Sequence, residues 1–288
     1  VTRTGEPAVI AVDLGGTRLR AALVAGGRVV RRREQATQPA HGAGAWIEAM
    51  AALVEDWRGQ AGALGIATTG VIRDGRWFAL NPEVLPVPAG FALVTELECR
   101  LGLPVQATND GHAAAWGEFR HGSGQGSGSC ICLTISTGIG GGIVMDGRLQ
   151  RGGAGLAGSL GHVLADPAGP RCGCGKVGCL EAIASGGALE VMAREGGYPT
   201  PVRAGPAWAE RLLDRSAQAV ARALCDLRAL IDPEIVVLGG GLGLSNGFIE
   251  RVRRGLESHP RIFRPRLEKA ALGGDAGLIG AADLALAA

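Results

Sequence analysis

Apolar residues fall in blocks whose spacing separates strands from helices. Ala8 to Asp13 is a short apolar run ending at Gly15-Gly16, and Leu19 to Val24 follows at once. Gly26-Gly27 then turns the chain into a third strand at Val29-Val30. This spacing predicts an antiparallel meander of hairpins. Ala45 to Trp57 puts Trp46, Ala49, Met50, Leu53 and Trp57 on one helical face. A strand is expected over Leu64 to Thr68, and a helix over Phe91 to Leu101 stopped by Gly102 and Pro104. Val105 to Thr108 reads as a short strand, and Asn109 or Asp110 is expected to cap a helix running to Phe119.

The second half repeats the theme. Gly122 to Gly128 is a Gly/Ser stretch with little to bury, the most linker-like in the chain. Cys130 to Ser136 reads as a strand, Gly138 to Gly142 as a glycine turn, and Ile143 to Met145 as a strand. Asp146-Gly147 is a hairpin signal, and Leu149 continues the meander. Strand, glycine turn, strand, tight turn, strand thus occurs near Asp13 and again near Thr137, which predicts two related lobes. Helices are expected over Glu181–Ala193, Ala207–Leu230 and Ala276–Leu286, with a buried strand over Glu234 to Leu238 that ends in Gly239-Gly240-Gly241. Strands and helices mixed in this order mean an α/β protein.

Composition narrows the class. The 288 residues are 47% hydrophobic and 19% charged, enough for a substantial core and against disorder. A net charge of +2 gives no basic field for nucleic acid or an anionic membrane surface. No apolar run reaches the roughly 18 residues of a membrane span, and residues 1–7 lack the apolar core of a secretory signal. A cytoplasmic location is the resulting expectation. The odd count of 7 cysteines argues against a disulfide scaffold. Cys99, Cys130, Cys132 and Cys225 lie in apolar settings and are expected in the core.

Three glycine turns follow apolar strands: Asp13-Leu14-Gly15-Gly16-Thr17, Ser136-Thr137-Gly138-Ile139-Gly140-Gly141-Gly142, and Gly239-Gly240-Gly241-Leu242-Gly243. Each alone fits a tight hairpin; the three together point to a nucleotide, whose phosphates need converging backbone N–H groups. Thr17 and Thr137 add hydroxyl donors, and Asp13 suits Mg²⁺ held through its water shell. Asn109-Asp110 fits either a plain helix cap or a catalytic carboxylate beside a substrate-orienting amide. Cys172, Cys174 and Cys179 place three thiols on one tight loop. His162, ten residues upstream, would complete a closed Cys₃His zinc site of the structural kind. Glu181 follows so closely that the metal would hold its carboxylate in position.

Taken together these motifs resemble the ROK family of sugar kinases and repressors, across essentially the whole chain. DLGGT resembles that family's first phosphate motif, STGIGGG the second, IVVLGGG the adenosine motif, and GH followed by CGCGKVGCLE the zinc signature. The resemblance implies the actin-like ATPase (ribonuclease H-like) fold, with two lobes and a cleft between them that takes ATP and sugar. Residues 1–109 plus 276–288 would form a small N-terminal lobe, and residues 110–275 a large lobe carrying the zinc loop. It implies that Asp110 is the catalytic base, and that Asn109, His162 and Glu181 contact sugar hydroxyls, with Asn81 a further contact. It also implies that Asp13, Gly15, Gly16, Thr17, Thr137, Gly138, Gly140 and Gly240 serve ATP and Mg²⁺, and that the protein is a homodimer.

Within the family, TGVIRDG followed by ALNP, NDGHAAAWGEF, and GHVLADPAGPRCGCGKVGCLEAIASG are similar to the bacterial members that phosphorylate N-acetylmannosamine at its 6-hydroxyl, in sialic acid breakdown. Many hexokinases of the family carry glutamate three residues before the zinc histidine. Here that position is Ser159, so one sugar contact is weaker, water-mediated or moved. Kinases of glucose, fructose and N-acetylglucosamine share nearly all these motifs. Repressors of the family carry a helix-turn-helix domain before the first phosphate motif; with twelve residues preceding Asp13 in this sequence, a repressor is not the expectation. A silent sugar sensor is the non-enzyme alternative, and it would be expected to lack the carboxylate or a phosphate loop.

Overall fold

The computed structural model describes residues 8–82, 84–202 and 204–287. The start of the chain, read above for a secretory signal, lies outside them. The first half runs β1 (Val9–Leu14), β2 (Arg18–Ala25), β3 (Arg28–Ala36), α1 (Gly42–Val54), β4 (Leu64–Thr68), β5 (Val71–Arg73), β6 (Arg76–Phe78), α2 (Leu93–Leu101), β7 (Val105–Asn109) and α3 (Asp110–His121). The second half runs β8 (Cys130–Ile135), β9 (Ile139–Met145), β10 (Arg148–Leu149), α4 (Leu180–Ala184), α5 (Gly186–Glu195), α6 (Ala207–Ile231), β11 (Ile235–Gly239), α7 (Phe248–Glu257), β12 (Leu267–Lys269) and α8 (Ala276–Leu286). No helix among the described residues is long and apolar enough to cross a membrane.

Two compact units result. The described part of the first covers 8–122, 151–157 and 275–287; the second covers 123–150 and 158–274. Each holds a five-stranded sheet, ordered β3-β2-β1-β4-β7 in the first and β10-β9-β8-β11-β12 in the second. In each, an antiparallel three-strand meander is extended by two parallel strands. The internal echo expected from the glycine turns is therefore a repeat of whole sheets.

In the first unit the faces of the sheet differ in residue size. Ile10, Val12, Leu14, Leu64 and Ile66 point to a core with Trp46 and Met50 of α1 and Leu93 and Leu97 of α2. On the other side Ala67 clusters with Ala113 of α3 and Ala281 of α8. The small residues let backbones meet: a Cβ on Gly280 would lie 1.8 Å from the Ala113 carbonyl oxygen, and one on Gly117 2.4 Å from that of Ala276. This contact keeps α3 in the first unit, so the division falls at Gly122/Ser123, in the Gly/Ser stretch, rather than at the expected 109/110.

The second unit packs Ile131, Leu133, Val236 and Leu238 of its sheet against Leu213, Val220 and Leu224 of α6 and Phe248, Val252 and Leu256 of α7. Several expectations need correction. Gly140–Gly142 are not a turn: they lie inside β9, opposite Thr134, Leu133 and Cys132 of β8. The expected helix over Glu181–Ala193 is two helices, because Ser185 leaves the helical conformation and its side chain caps α5 through Ala188 N–H. The helix expected from Phe91 starts at Leu93, since Phe91 bridges to Trp77 instead. Cys99 is exposed on the outer face of α2, not in the core, whereas Cys130, Cys132 and Cys225 are buried as expected. The hairpin β5–β6, helix α7 and strand β12 were not anticipated.

Candidate functional site

The site residues of the first unit gather at one edge of its sheet. Leu14 of β1 lies beside Thr68 of β4, and Thr68 lies beside Asn109 of β7. Three parallel strands thus end together, the place where open α/β sheets bind ligands. The Thr68 hydroxyl donates to the Leu14 carbonyl at 3.0 Å and fixes that edge. Gly15 N–H closes the Gly15-Gly16-Thr17 turn on the Arg18 carbonyl, and the Thr37 hydroxyl donates to the Gly15 carbonyl at 2.7 Å. Asn81 lies in the loop that follows β6, where its carbonyl accepts from Val84 N–H. That loop presses on the turn: a Cβ on Gly16 would be 2.5 Å from Val84 Cγ1.

Asn109 and Asp110 divide the labour that the sequence left open. Asn109 is the cap of α3, accepting from Gly111 and His112 N–H, and its amide donates to the Gly70 carbonyl at 2.8 Å. Asp110 is the first residue of the helix and is exposed. Its Oδ1 accepts from Gly111 N–H at 2.9 Å. A carboxylate held in place at the exposed start of a helix is suited to accept a proton. Asp13 differs. It is buried and paired with Arg20. Burial pushes its carboxyl up while the guanidinium pulls against the rise. Mg²⁺ takes oxygen donors and keeps several waters, so the Asp13 carboxylate, already engaged by Arg20, would reach such an ion only through a bridging water.

In the second unit the turns after β8 and β11 interlock. Leu242 and Gly243 N–H both donate to the Ile135 carbonyl, which seats the turn at Gly240 on the end of β8. Gly186 and Gly187 N–H, at the start of α5, donate to the Ser136 and Thr137 carbonyls at 2.7 and 2.9 Å. A cavity of about 630 Å³ opens beside both turns, lined by Thr137, Gly241, Leu242, Asn246, Phe248 and Arg251 among others. That volume lies in the range of small-ligand sites. The α7 side of this wall was missed from the sequence, although Ile249, Val252 and Leu256 recur at helical spacing. Arg251 is tied to Glu210 and Asp214 of α6, which fixes α7 against α6 at the cavity.

The metal-ligand set assembles as expected. His162, Cys172, Cys174 and Cys179 offer ligand atoms that all lie within 4.8 Å of one another. His162 Nδ1 is 3.6 Å from Cys172 Sγ, and Cys174 Sγ is 3.7 Å from Cys179 Sγ. Tetrahedral zinc with Zn–S of about 2.3 Å needs edges of about 3.8 Å, so the donors fit that ion. Nδ1 faces the thiols, which leaves Nε2 of the same ring for another partner. Burial pushes the Cys172 thiol up to about 12, so without metal it stays neutral. Ser159 precedes the short turn Leu160–His162, and its carbonyl accepts from His162 N–H.

Glu181 joins this loop to the turn after β8. Its Oε2 accepts from Ile139 N–H at 2.8 Å, and Oε1 lies 3.8 Å from Cys172 Sγ. The carboxylate occupies the space a side chain at 138 would need, because a Cβ there would be 2.6 Å from Oε2. Gly138→Ala is therefore expected to turn Glu181 away and strand the Ile139 N–H, lowering stability by about 1–3 kcal/mol. Chemical denaturation beside steady-state kinetics measures both effects. Unchanged stability and rate would mean that Glu181 keeps its bond.

Similar proteins match this arrangement along its length. The ROK family pattern covers residues 9–288. The N-acetylmannosamine kinase of Salmonella typhi is 45% identical over 284 residues, 96% of this chain and 97% of that enzyme. The bifunctional enzyme NanE/NanK of Brucella melitensis biotype 1 is also 45% identical over 96% of the chain, which spans only about half of it, 54%. A ROK family glucokinase from Streptomyces griseus, solved with glucose and AMPPNP, superimposes with a TM-score of 0.84 at 33% identity, covering 98% of this chain and 100% of that one. The family pattern and a relative 45% identical over nearly the whole sequence agree, and the chain belongs to the ROK family.

Proposed function

We propose that the protein is an ATP-dependent N-acetylmannosamine kinase that transfers the γ-phosphoryl group to the sugar's 6-hydroxyl. The observation that carries this reading is the 45% identity, sustained over 97% of the Salmonella typhi enzyme of that name. Asp110 accepts the proton of the 6-hydroxyl as the new O–P bond forms. Asn109 holds that carboxylate by capping its helix. Asn81, Asn109, Ser159, His162 and Glu181 take the sugar hydroxyls, His162 through Nε2. Backbone N–H groups around Gly15, Gly16, Thr137, Gly138 and Gly140, with the Thr17 and Thr137 hydroxyls, receive the phosphates and the charge that develops on them. The cavity beside Gly240 takes the adenosine.

Asp13 would hold Mg²⁺ through water, and the ion would supply positive charge near the phosphates. His162, Cys172, Cys174 and Cys179 would hold a structural zinc, which would order the loop that carries Glu181. Glucose, fructose and N-acetylglucosamine are the competing substrates, and a sugar sensor without turnover is the non-enzyme reading. The same proposal makes the protein a cytoplasmic homodimer.

An ATP-to-ADP coupled assay with magnesium, on zinc-replete protein and the four sugars, tests it. The expected result is the highest kcat/KM for N-acetylmannosamine. A higher value for another hexose would keep the kinase and replace its substrate. Sugar binding without turnover on any of the four would leave the sensor.

A further inference from the structure

The chain between β10 and the zinc loop makes a detour. It leaves the second unit at Gln150, packs residues 151–157 into the first unit, and re-enters the second at Gly158. This strap is anchored at two points. Gly155 lies against β5, where an added Cβ would be 3.0 Å from both the Ile72 carbonyl oxygen and Val71 Cγ1. At the other point the Ala157 carbonyl meets His112 Nε2 at 2.5 Å. Between them Ala157 N–H donates to the Arg151 carbonyl and folds the strap back on itself.

His112 stands two residues after Asp110 on α3, is 4% exposed, and has its own N–H capped by Asn109. A carbonyl only accepts, so Nε2 carries the hydrogen and donates it. Burial lowers the imidazole's pKa, which keeps the ring neutral with one N–H to give. The strap leads directly into Ser159 and His162. Its last carbonyl is therefore bonded to the helix that presents Asp110.

We propose that His112 is a positioning residue: its N–H to the Ala157 carbonyl pins strap 151–157 to α3, gives residues 158–162 a fixed starting point, and thereby sets affinity for the sugar rather than the rate of transfer. The consequence for sugar rests on the kinase reading above; the pinning of the strap does not. His112 is buried and its side chain bonds the strap, away from the residues proposed to meet the sugar. Its loss therefore has a signature unlike that of Asp110.

Three variants separate this from simple core packing. His112→Leu keeps the apolar bulk and removes the donor. His112→Gln puts an amide N–H at the reach of Nε2. Gly155→Ala disturbs the strap at its other anchor and leaves His112 intact. Amide hydrogen exchange and steady-state kinetics with N-acetylmannosamine are measured on each. His112→Leu is expected to exchange faster across 151–162 while α3 stays protected, with sugar KM raised about tenfold and kcat within about twofold. His112→Gln is expected to restore both, and Gly155→Ala to reproduce the leucine variant.

Unchanged exchange and KM in His112→Leu would overturn the proposal. Equal losses in the leucine and glutamine variants would do the same, because packing alone would then explain them. If His112→Leu does not fold, Gly155→Ala and His112→Gln still decide it. If the wild type phosphorylates no sugar, the kinase reading fails at that point, and exchange in the variants still tests the pinning of the strap.

Discussion

Replacing Asp110 with asparagine is expected to cut kcat by about 10²–10⁴-fold while sugar binding is largely retained. The size follows from what the substitution keeps. Asparagine still fits the first position of α3 and can accept from Gly111 N–H as Oδ1 does now. The helix, its Asn109 cap and the bond from Asn109 to the Gly70 carbonyl stay in place. Only the ability to take a proton is removed. Steady-state kinetics and calorimetric sugar binding on the same sample separate the two effects. A variant that keeps more than about a hundredth of the wild-type rate would show that the 6-hydroxyl loses its proton elsewhere.

Cys174→Ser is expected to act through the metal. Serine is a poor zinc ligand, and three remaining donors leave a closed structural site incomplete. Metal content should fall well below one per chain, and sugar KM should rise about tenfold or more with it. The coupling is physical. Cys179 lies two residues before Glu181, and Lys176 holds the His162 carbonyl at 2.7 Å, so one loop carries both ligands and proposed sugar contacts. Metal analysis and kinetics on the purified variant are the measurements. Stoichiometric zinc with normal kinetics would remove the metal from the account. Chelation of the wild type should mimic the variant, more readily as pH falls, because the thiols must lose protons to bind zinc.

Much of this arrangement was legible in the residues, for identifiable reasons. Strands β1, β4 and β8 are mostly apolar runs with glycine at or near their ends, and such runs signal buried strands whatever surrounds them. The cysteine spacing was decisive because three thiols within one tight loop have few uses outside metal binding. What was misread had a different physical origin. Gly140–Gly142 looked like a turn but lie in β9, and Gly141 makes room there: a Cβ on it would be 2.7 Å from Leu160 Cδ1 and 2.8 Å from the Cys132 carbonyl oxygen. Local sequence does not distinguish a glycine that bends from one that makes room.

The placement of α3 failed for the same reason. Its contact with α8 uses Ala113, Gly117, Ala276 and Gly280, residues that leave no apolar stripe to read. Helix α7 was a different omission. Its Phe248, Ile249, Val252 and Leu256 are buried at helical spacing, but arginines and glutamates between them mask the pattern. The cavity wall that depends on α7 was lost with it. The hydrogen bond between His112 and Ala157 joins positions forty-five residues apart, and no pattern within a window reports such a pair.

The embrace of α8 by α3 also orders events during synthesis. Residues 275–287 complete the first unit, yet they are translated after every residue of the second. While the ribosome is still making them, the alanine-lined face of the first sheet has no α8 to cover it, and the second unit already has its whole sequence. The half that is translated first is therefore the half that finishes last, and until α8 arrives that bare face is the surface a chaperone would have to guard.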